Sequence, residues 1–147
     1  MMLQQTFATQ FEAVVAEVTT DGDVSISGRI RNLTDVVISG TIYAQVKDSI
    51  GVIVLGPTPS TFTVVPQFLT PSNVHGFTVQ IGTLSSYGTY TVEVFALDIN
   101  SVALAENVVV NLPFAPPPPP PDQAQIPLLA LAGAGLAVFI LVMLYNR

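Results

Sequence analysis

Apolar and polar side chains alternate with a period of two through much of the first 112 residues. In the stretch 24–31, Val24, Ile26 and Ile30 alternate with serine or arginine. Successive side chains of a strand point to opposite faces, so this pattern predicts half-buried strands and not helices. Further strands with the same pattern are predicted over 38–46, 77–81 and 90–96, and shorter ones over 52–55, 61–65 and 102–110.

Residues 11–19 fit either a helical stripe or a strand, because Phe11, Val14 and Val18 suit both periods. The hairpin-type pair Asp21-Gly22 directly downstream favours a first strand. Turn-forming residues separate the candidate strands at 21–22, 32–35, 48–51, 56–57, 71–73, 85–88 and 98–101. Seven or eight short strands at this spacing predict an all-β fold, an immunoglobulin-like antiparallel β-sandwich over residues 1–112.

Three segments occur in an order known from one family. They are GRIRN at 28–32, DSIGVI at 48–53, and LTPS at 69–72 ahead of FTV at 77–79. Over residues 12–111 the chain resembles the immunoglobulin-like domains of the FxLYD and CARDB kind, although Ser72 stands where glycine is usual and the charge density is low. The resemblance implies a non-catalytic sandwich of prokaryotic envelope or membrane proteins, and it transfers no functional residue.

Six consecutive prolines occupy positions 116–121. Such a run excludes a helix or a sheet ladder and adopts extended polyproline II at about 3.1 Å per residue. Residues 113–125 are therefore predicted to be a semi-rigid stalk of about 20 Å in its proline run. A ligand for a proline-reading domain is the alternative, which the absence of a flanking arginine disfavours.

Residues 126–145 contain no charged side chain and are almost wholly apolar. A helix of that length spans about 30 Å, the hydrocarbon thickness of a bilayer, so we predict one C-terminal transmembrane helix followed by a short tail, 146–147. Small residues at Ala130, Gly133, Ala134 and Ala137 would let a second helix approach closely. The expected partners are a lipid bilayer and other protein subunits, copies of this chain included.

The charged and reactive residues are few. The chain has 4 lysines plus arginines, 10 acidic residues, 1 histidine and no cysteine, and its formal net charge is −6. A phosphate-tracking basic surface is therefore excluded, and with it nucleic-acid binding. Disulfides, thiolate metal sites and a cysteine nucleophile are excluded as well. We expect no enzyme activity, no cofactor and no small-molecule substrate.

Three polar features have both a functional and a structural interpretation. His75 at a strand start could serve a catalytic triad, but no nucleophile elbow accompanies it. The acids of Asp21-Gly22-Asp23 could bind calcium, but a hairpin turn explains both of them. Asn32-Leu33-Thr34 matches a glycosylation sequon on a predicted turn, which matters only if the domain reaches a glycosylating compartment; a match by chance is the alternative.

The side of the membrane on which the domain lies has opposing indications. Residues 1–5 lack a basic n-region, so no signal peptide is predicted and the domain would stay in the cytosol. Arg147 follows the predicted helix and Asp122 precedes it, which by the positive-inside rule favours the other side. Both indications are satisfied by a tail-anchored protein that is made in the cytosol and whose domain faces the shell of a virion with an internal membrane.

The sequence thus predicts a structural or interaction protein of a virion or cell envelope. An accessory subunit of a membrane enzyme complex and a ligand-binding receptor domain are the alternatives.

Overall fold

The computed structural model describes residues 6–118. The chain divides into two compact units, Met1–Pro116 and Pro117–Arg147, and the first is described here. The predicted membrane helix and most of the predicted stalk lie outside the described residues, as do Ala130, Gly133, Ala134 and Ala137. Within residues 6–118 no helix is long and apolar enough to cross a bilayer.

Seven strands make up the described domain, joined by short connections and one 3₁₀ turn at Gln67–Leu69. The strands are β1 Thr9–Val18, β2 Asp23–Asn32, β3 Ile38–Lys47, β4 Ile53–Val64, β5 Val74–Thr83, β6 Gly88–Leu97 and β7 Val108–Phe114. They form a three-stranded sheet in the order β1-β2-β5 and a four-stranded sheet in the order β4-β3-β6-β7, and every pairing is antiparallel. The predicted all-β fold with two antiparallel sheets is confirmed.

The core lies between the two sheets and follows the predicted alternation. Ile26 and Ile30 of β2, Ile42 of β3 and Val92 and Val94 of β6 are fully buried. Gly40 completes the inward row of β3, and its lack of a side chain is required. A Cβ at this position would lie 2.5 Å from Leu104 Cδ1 and 2.7 Å from the carbonyl oxygen of Leu97.

The interpretation of residues 52–65 as two strands separated by a Gly56-Pro57 turn is wrong. A single strand, β4, runs through both segments, with irregular register against β3 near Ala44 and Val46. The strand lies at an edge of its sheet, where a proline leaves no ladder bond unmade. Gly56, with φ of 84°, accommodates the irregularity.

The last predicted strand, 102–110, is displaced in the structure. Ala103 makes only an isolated bridge to Leu97, and the regular strand β7 begins at Val108. It continues to Phe114, whose side chain is buried, so the folded domain extends two residues beyond the predicted boundary at 112. Leu112 and Phe114 keep the inward phase of the strand up to that point.

Tyr90, near the start of β6, forms a hydrogen bond with the connection between β5 and β6. Its ring is buried, and its phenolic Oη donates a hydrogen bond to the carbonyl oxygen of Ser86 at 2.8 Å. A tyrosine near the start of this strand that bonds back to the preceding connection is a hallmark of Greek-key β-sandwiches. The contact therefore fixes how the chain crosses from one sheet to the other.

The connections lie at two opposite ends of the sandwich. The pairs Arg31↔Val74, Ile38↔Val64 and Thr41↔Leu97 place the connections 33–37, 65–73 and 98–107 at one end, which we call the loop end. The pair Gly88↔Phe114 shows that the chain leaves the domain at the other end, the exit end. The connections 19–22, 48–52 and 84–87 share the exit end.

Candidate interaction surfaces

The loop end exposes an unusual number of large apolar side chains. Phe68 is 69% exposed and Ile99 is 96% exposed. The exposed apolar residues of this end are Leu33, Val36, Val37, Phe68, Leu69, Ile99 and Val102. Exposed apolar residues scattered singly are ordinary, but seven of them on three neighbouring connections are typical of a contact surface.

The buried side chain of Asn32 forms hydrogen bonds with two of these connections, 33–37 and 65–73. Its side-chain Nδ2 donates hydrogen bonds to the carbonyl oxygens of Val36 at 2.7 Å, Val65 at 2.9 Å and Val64 at 3.3 Å. Its Oδ1 accepts bonds from the backbone N–H of Thr34 at 2.8 Å and from Thr34 Oγ1 at 2.7 Å. A buried amide used in this way gives the apolar loops a fixed conformation.

The structure corrects the expectation that Asn32 of the sequon lies on a turn. The residue ends β2 instead of lying in a turn, and it is 0% exposed. A glycan on Nδ2 would displace bonds to three backbone carbonyls, which would then be left without this partner. In the folded domain Asn32 therefore serves as a structural donor.

An aspartate turn presents Ile99. The Oδ1 of Asp98 accepts hydrogen bonds from the backbone N–H groups of Asn100 at 2.8 Å and Val102 at 2.9 Å. The same turn recurs at the exit end, where Asp48 Oδ1 accepts from Ile50 and Val52. The two turns share this hydrogen-bond pattern, and each carries an exposed isoleucine, Ile99 one residue and Ile50 two residues after the aspartate.

The loop end is acidic as well as apolar. The connections 33–37, 65–73 and 98–107 contain Asp35, Asp98 and Glu106 and no lysine or arginine. The nearest arginine in sequence, Arg31, is engaged elsewhere: it binds Glu12 through Nε at 2.7 Å and through Nη2 at 3.1 Å. A complementary surface would therefore be apolar with basic side chains at its rim.

A cleft of about 470 Å³ opens beside this end, between the start of β1 and the start of β7. Its walls combine rings, amides, hydroxyls and one carboxylate. They are formed by Thr6, Phe7, Thr9, Gln10, Phe11, Leu33, Glu106, Asn107 and Val108. This mixture of apolar walls with a few polar groups is what small ligands use, so the cleft is a second candidate surface.

Five charged side chains form two clusters on the outer sheet faces: Glu12 with Arg29 and Arg31, and Glu93 with Lys47. The hydrogen bonds from Arg31 lower the pKa of the Glu12 carboxyl and raise the pKa of Arg31 itself. Burial raises the pKa of Glu93, but the hydrogen bonds from Gln45 and Lys47 outweigh it and leave that pKa below its ordinary value. Gln45 is buried, and its Nε2 donates a hydrogen bond to the Glu93 carboxylate at 2.7 Å.

The structure does not assemble a reactive site around His75. The ring lies on β5 with its centroid 6.3 Å from that of Phe62, and no hydrogen bond to it is found within residues 6–118. Asp23 accepts a bond from Thr83 Oγ1 at 2.6 Å, as a hairpin residue does. Among the described residues no group of three histidine, aspartate or glutamate side chains is arranged to hold a metal ion.

Two features of these surfaces were not predicted from the sequence. The presence of Phe68 and Ile99 at one end depends on which connections share that end, which requires the strand order. The stacked pair of Tyr43 and Phe95, with ring centroids 5.3 Å apart, lies on the outer face of the four-stranded sheet. Their outward phase was visible in the alternation, but their adjacency depends on the β3–β6 register.

The domain is similar in fold to parts of large glycosidases. A β-glucuronidase from Bacteroides uniformis matches with a TM-score of 0.60 at 9% identity, over 73% of this chain and 14% of that enzyme. A putative β-galactosidase from Bacteroides fragilis matches with a TM-score of 0.52 at 13% identity, over 72% of this chain and 17% of that protein. At such identities the likeness shows the fold alone. No family model and no curated protein sequence matches the chain.

Proposed function

We propose that this chain is a non-enzymatic structural or interaction protein. It presents an immunoglobulin-like β-sandwich from a membrane, on a polyproline stalk and one C-terminal helix, and it packs within a larger assembly. The membrane part of this proposal rests on the uncharged segment 126–145 and the proline run 116–121. The immunoglobulin-like part is supported by the three-plus-four strand order and by the Tyr90–Ser86 contact.

The observation that carries the proposal is the apolar loop end. Seven large apolar side chains face solvent there, and the chain leaves the domain at the opposite end. The loops are held by hydrogen bonds: besides those of Asn32, Gln67 donates from its backbone to Thr34 at 2.8 Å. A preorganised apolar surface pays little ordering entropy when it binds, which suits a permanent contact with a neighbouring subunit.

The setting consistent with these features is a membrane-associated assembly. In a virion with an internal membrane, the chain would link the capsid to the bilayer; in a cell envelope, it would hold a neighbouring protein at a fixed height. The partner's contact surface would be apolar and flanked by basic side chains, complementary to Asp35, Asp98 and Glu106. An accessory subunit of a membrane enzyme complex would use the same surface.

The second candidate function is ligand binding in the cleft between β1 and β7, favoured by its volume of about 470 Å³. Gln10 and Glu106 are exposed there and would supply the polar contacts. Because Glu106 also belongs to the loop end, replacing Gln10 alone with alanine distinguishes the candidates. Loss of function in this variant, with the loop-end variants unaffected, favours a ligand-binding domain over an assembly protein.

The proposal is tested by comparing a site variant with a spacer variant in the native assembly. His75→Ala should leave incorporation unchanged, because an assembly contact does not depend on one titratable group. Deleting three of the six prolines should reduce incorporation, since it shortens the stalk by about 9 Å. Loss of function with His75→Ala and wild-type behaviour of the shortened stalk would overturn the proposal.

A further inference from the structure

Strand β7 occupies one edge of the four-stranded sheet. On one side β7 pairs with β6, from Gly88↔Phe114 to Val94↔Val108. Within residues 6–118 no strand pairs with its other side. An unpaired edge of this kind presents a row of backbone donors and acceptors to any extended segment that fits it.

The position of Pro113 shows which residues of β7 direct their backbone N–H and C=O groups away from β6. Proline has no N–H, so within a ladder it occupies a position whose backbone groups face away from the neighbouring strand. Residues two apart share that direction, so Val109 and Asn111 direct their N–H and C=O groups toward the free edge. The backbone groups of Val108, Val110 and Leu112 face β6.

Each of the other three sheet edges carries a feature that limits strand addition. Strand β4 contains Pro57 and Pro59. Strand β1 is interrupted between Glu12 and Val15, where Ala13 has φ of 53°. Strand β5 pairs regularly with β2 from Val74 to Gln80 and changes register only at Gly82, but β4 reaches this end of it, where Thr58 Oγ1 donates to the carbonyl oxygen of Ile81 at 3.4 Å. Prolines, bulges and irregular register are the usual protection of sheet edges; β7 has a proline only near its end, at Pro113, and residues 108–112 carry none of these features.

We propose that the free edge of β7 is a self-association surface, on which β7 of a second copy adds antiparallel about a two-fold axis. One register satisfies every outward N–H and C=O of Val109 and Asn111 and leaves Pro113 outside the paired region. It places Val110 opposite Val110 of the second copy, and Val109 opposite Asn111 of the second copy. Four backbone hydrogen bonds then join the two sheets into one of eight strands.

A second copy suits this edge because of its charge. The chain has a net charge of −6, so two copies repel each other at long range, and contact along a surface without carboxylates adds no further repulsion. Residues 107–118 contain no charged side chain, which makes β7 such a surface. Glu93, the neighbour of Val109 on β6, already has Lys47 at 3.1 Å and Gln45 as partners. Self-pairing therefore brings no unpaired like charges together.

Cysteine cross-linking tests the register directly, because the native chain has no cysteine. Full-length chains carrying Val109→Cys and Asn111→Cys are mixed in mild detergent and oxidised. Directly opposite residues of this kind lie about 5.5 Å apart between Cα atoms, within disulfide reach. The proposal expects the mixed 109–111 disulfide to predominate over either homodimer. Thr63→Cys, exposed on β4, should give no cross-link. Absence of the mixed disulfide overturns the proposal.

A backbone variant tests the hydrogen bonds. Asn111→Pro removes two of the four intermolecular bonds and keeps the ladder with β6, since Pro113 already occupies the same phase. Asn111→Ala is the matched control, which retains the N–H. Sedimentation equilibrium of the full chain in detergent should show the dimer weakened at least about tenfold by proline and unchanged by alanine. Equal dimerisation of both variants, or a monomeric wild type, overturns the proposal.

Gly133→Leu controls for association through the predicted membrane helix. It should leave the yield of the mixed 109–111 disulfide unchanged. Loss of that disulfide would show that the helix, and not β7, holds the copies together.

Discussion

The phenolic oxygen of Tyr90 lies 2.8 Å from the carbonyl oxygen of Ser86 and donates a hydrogen bond to it. This bond ties the start of β6 to the connection that precedes it, so it stabilises the crossing between the two sheets. Tyr90→Phe removes the bond and keeps the buried ring. We expect it to lower the free energy of unfolding of the full chain by about 1 kcal/mol in denaturant titrations.

Tyr87→Phe is the control for this change. Tyr87 is exposed, and its ring packs on Phe114 with centroids 4.7 Å apart, a contact that phenylalanine retains. Its stability should match that of the wild type. Equal stability of the Tyr90 and Tyr87 variants would show that the Tyr90–Ser86 bond does not stabilise the fold.

Replacement of Asn32 is expected to be more damaging. Asn32→Ala leaves the carbonyls of Val36 and Val65 without their side-chain donor, and it removes the acceptor for Thr34. Loss of such a buried network costs about 2–4 kcal/mol. Hydrogen exchange should also accelerate in residues 33–37, while Asn100→Ala, an exposed turn residue, should change neither property. Wild-type exchange in these loops would contradict the role assigned to Asn32.

Stability should fall as the solution becomes acidic. The pKa values of Glu12 and Glu93 are lowered in the folded domain from an ordinary value of 4.5. Their stabilising contribution is therefore complete above that value and is lost as the pH falls through the lower folded values. Melting temperatures measured between pH 7 and pH 3 should show this loss.

The double variant Glu12→Gln/Glu93→Gln should reduce the acid sensitivity. Its neutral amides cannot titrate, so the part of the pH dependence that these carboxyls supply disappears. Glu17→Gln, on the same strand as Glu12 and exposed, is the matched control. An unchanged pH profile in the double variant would assign the acid sensitivity to other groups.

Membrane attachment is predicted to depend on residues 126–145. Leu136→Arg/Phe139→Arg should cost several kcal/mol of insertion free energy and release the chain on alkaline carbonate extraction. The conservative pair Leu136→Ile/Phe139→Leu should remain in the pellet. Retention of the arginine variant in the membrane would show that another part of the chain, or a partner, holds it there.

Much of the sandwich was predictable from local patterns. Ile26, Ile42 and Val92 lie where the alternation places them, because a half-buried strand must put one set of side chains inside. The continuity of β4 through Gly56-Pro57 was not predictable, since proline is excluded from central strands but tolerated at an edge, and the sequence does not show which strand is at the edge.

The candidate surfaces were less predictable than the core. Phe68 and Ile99 are 31 positions apart, and only the strand order places their connections at the same end of the domain. Asn32 has the sequence of a glycosylation acceptor, and only its burial shows that it is a structural donor. Surfaces made from several connections depend on long-range pairing, whereas the inward phase of each strand is a local property.

The central claim, that the chain acts by assembly through its loop end, is tested most directly by the size of the complex that it forms in its native membrane. The full chain carrying Phe68→Ser/Ile99→Ser is compared with wild type and with Ile50→Ser/Val52→Ser, which alters exposed apolar residues of the exit end. Detergent extracts are separated on density gradients. We predict that the wild type and the exit-end variant sediment in the same large complex and that the loop-end variant is released from it. Co-sedimentation of the loop-end variant with the intact complex would contradict the account.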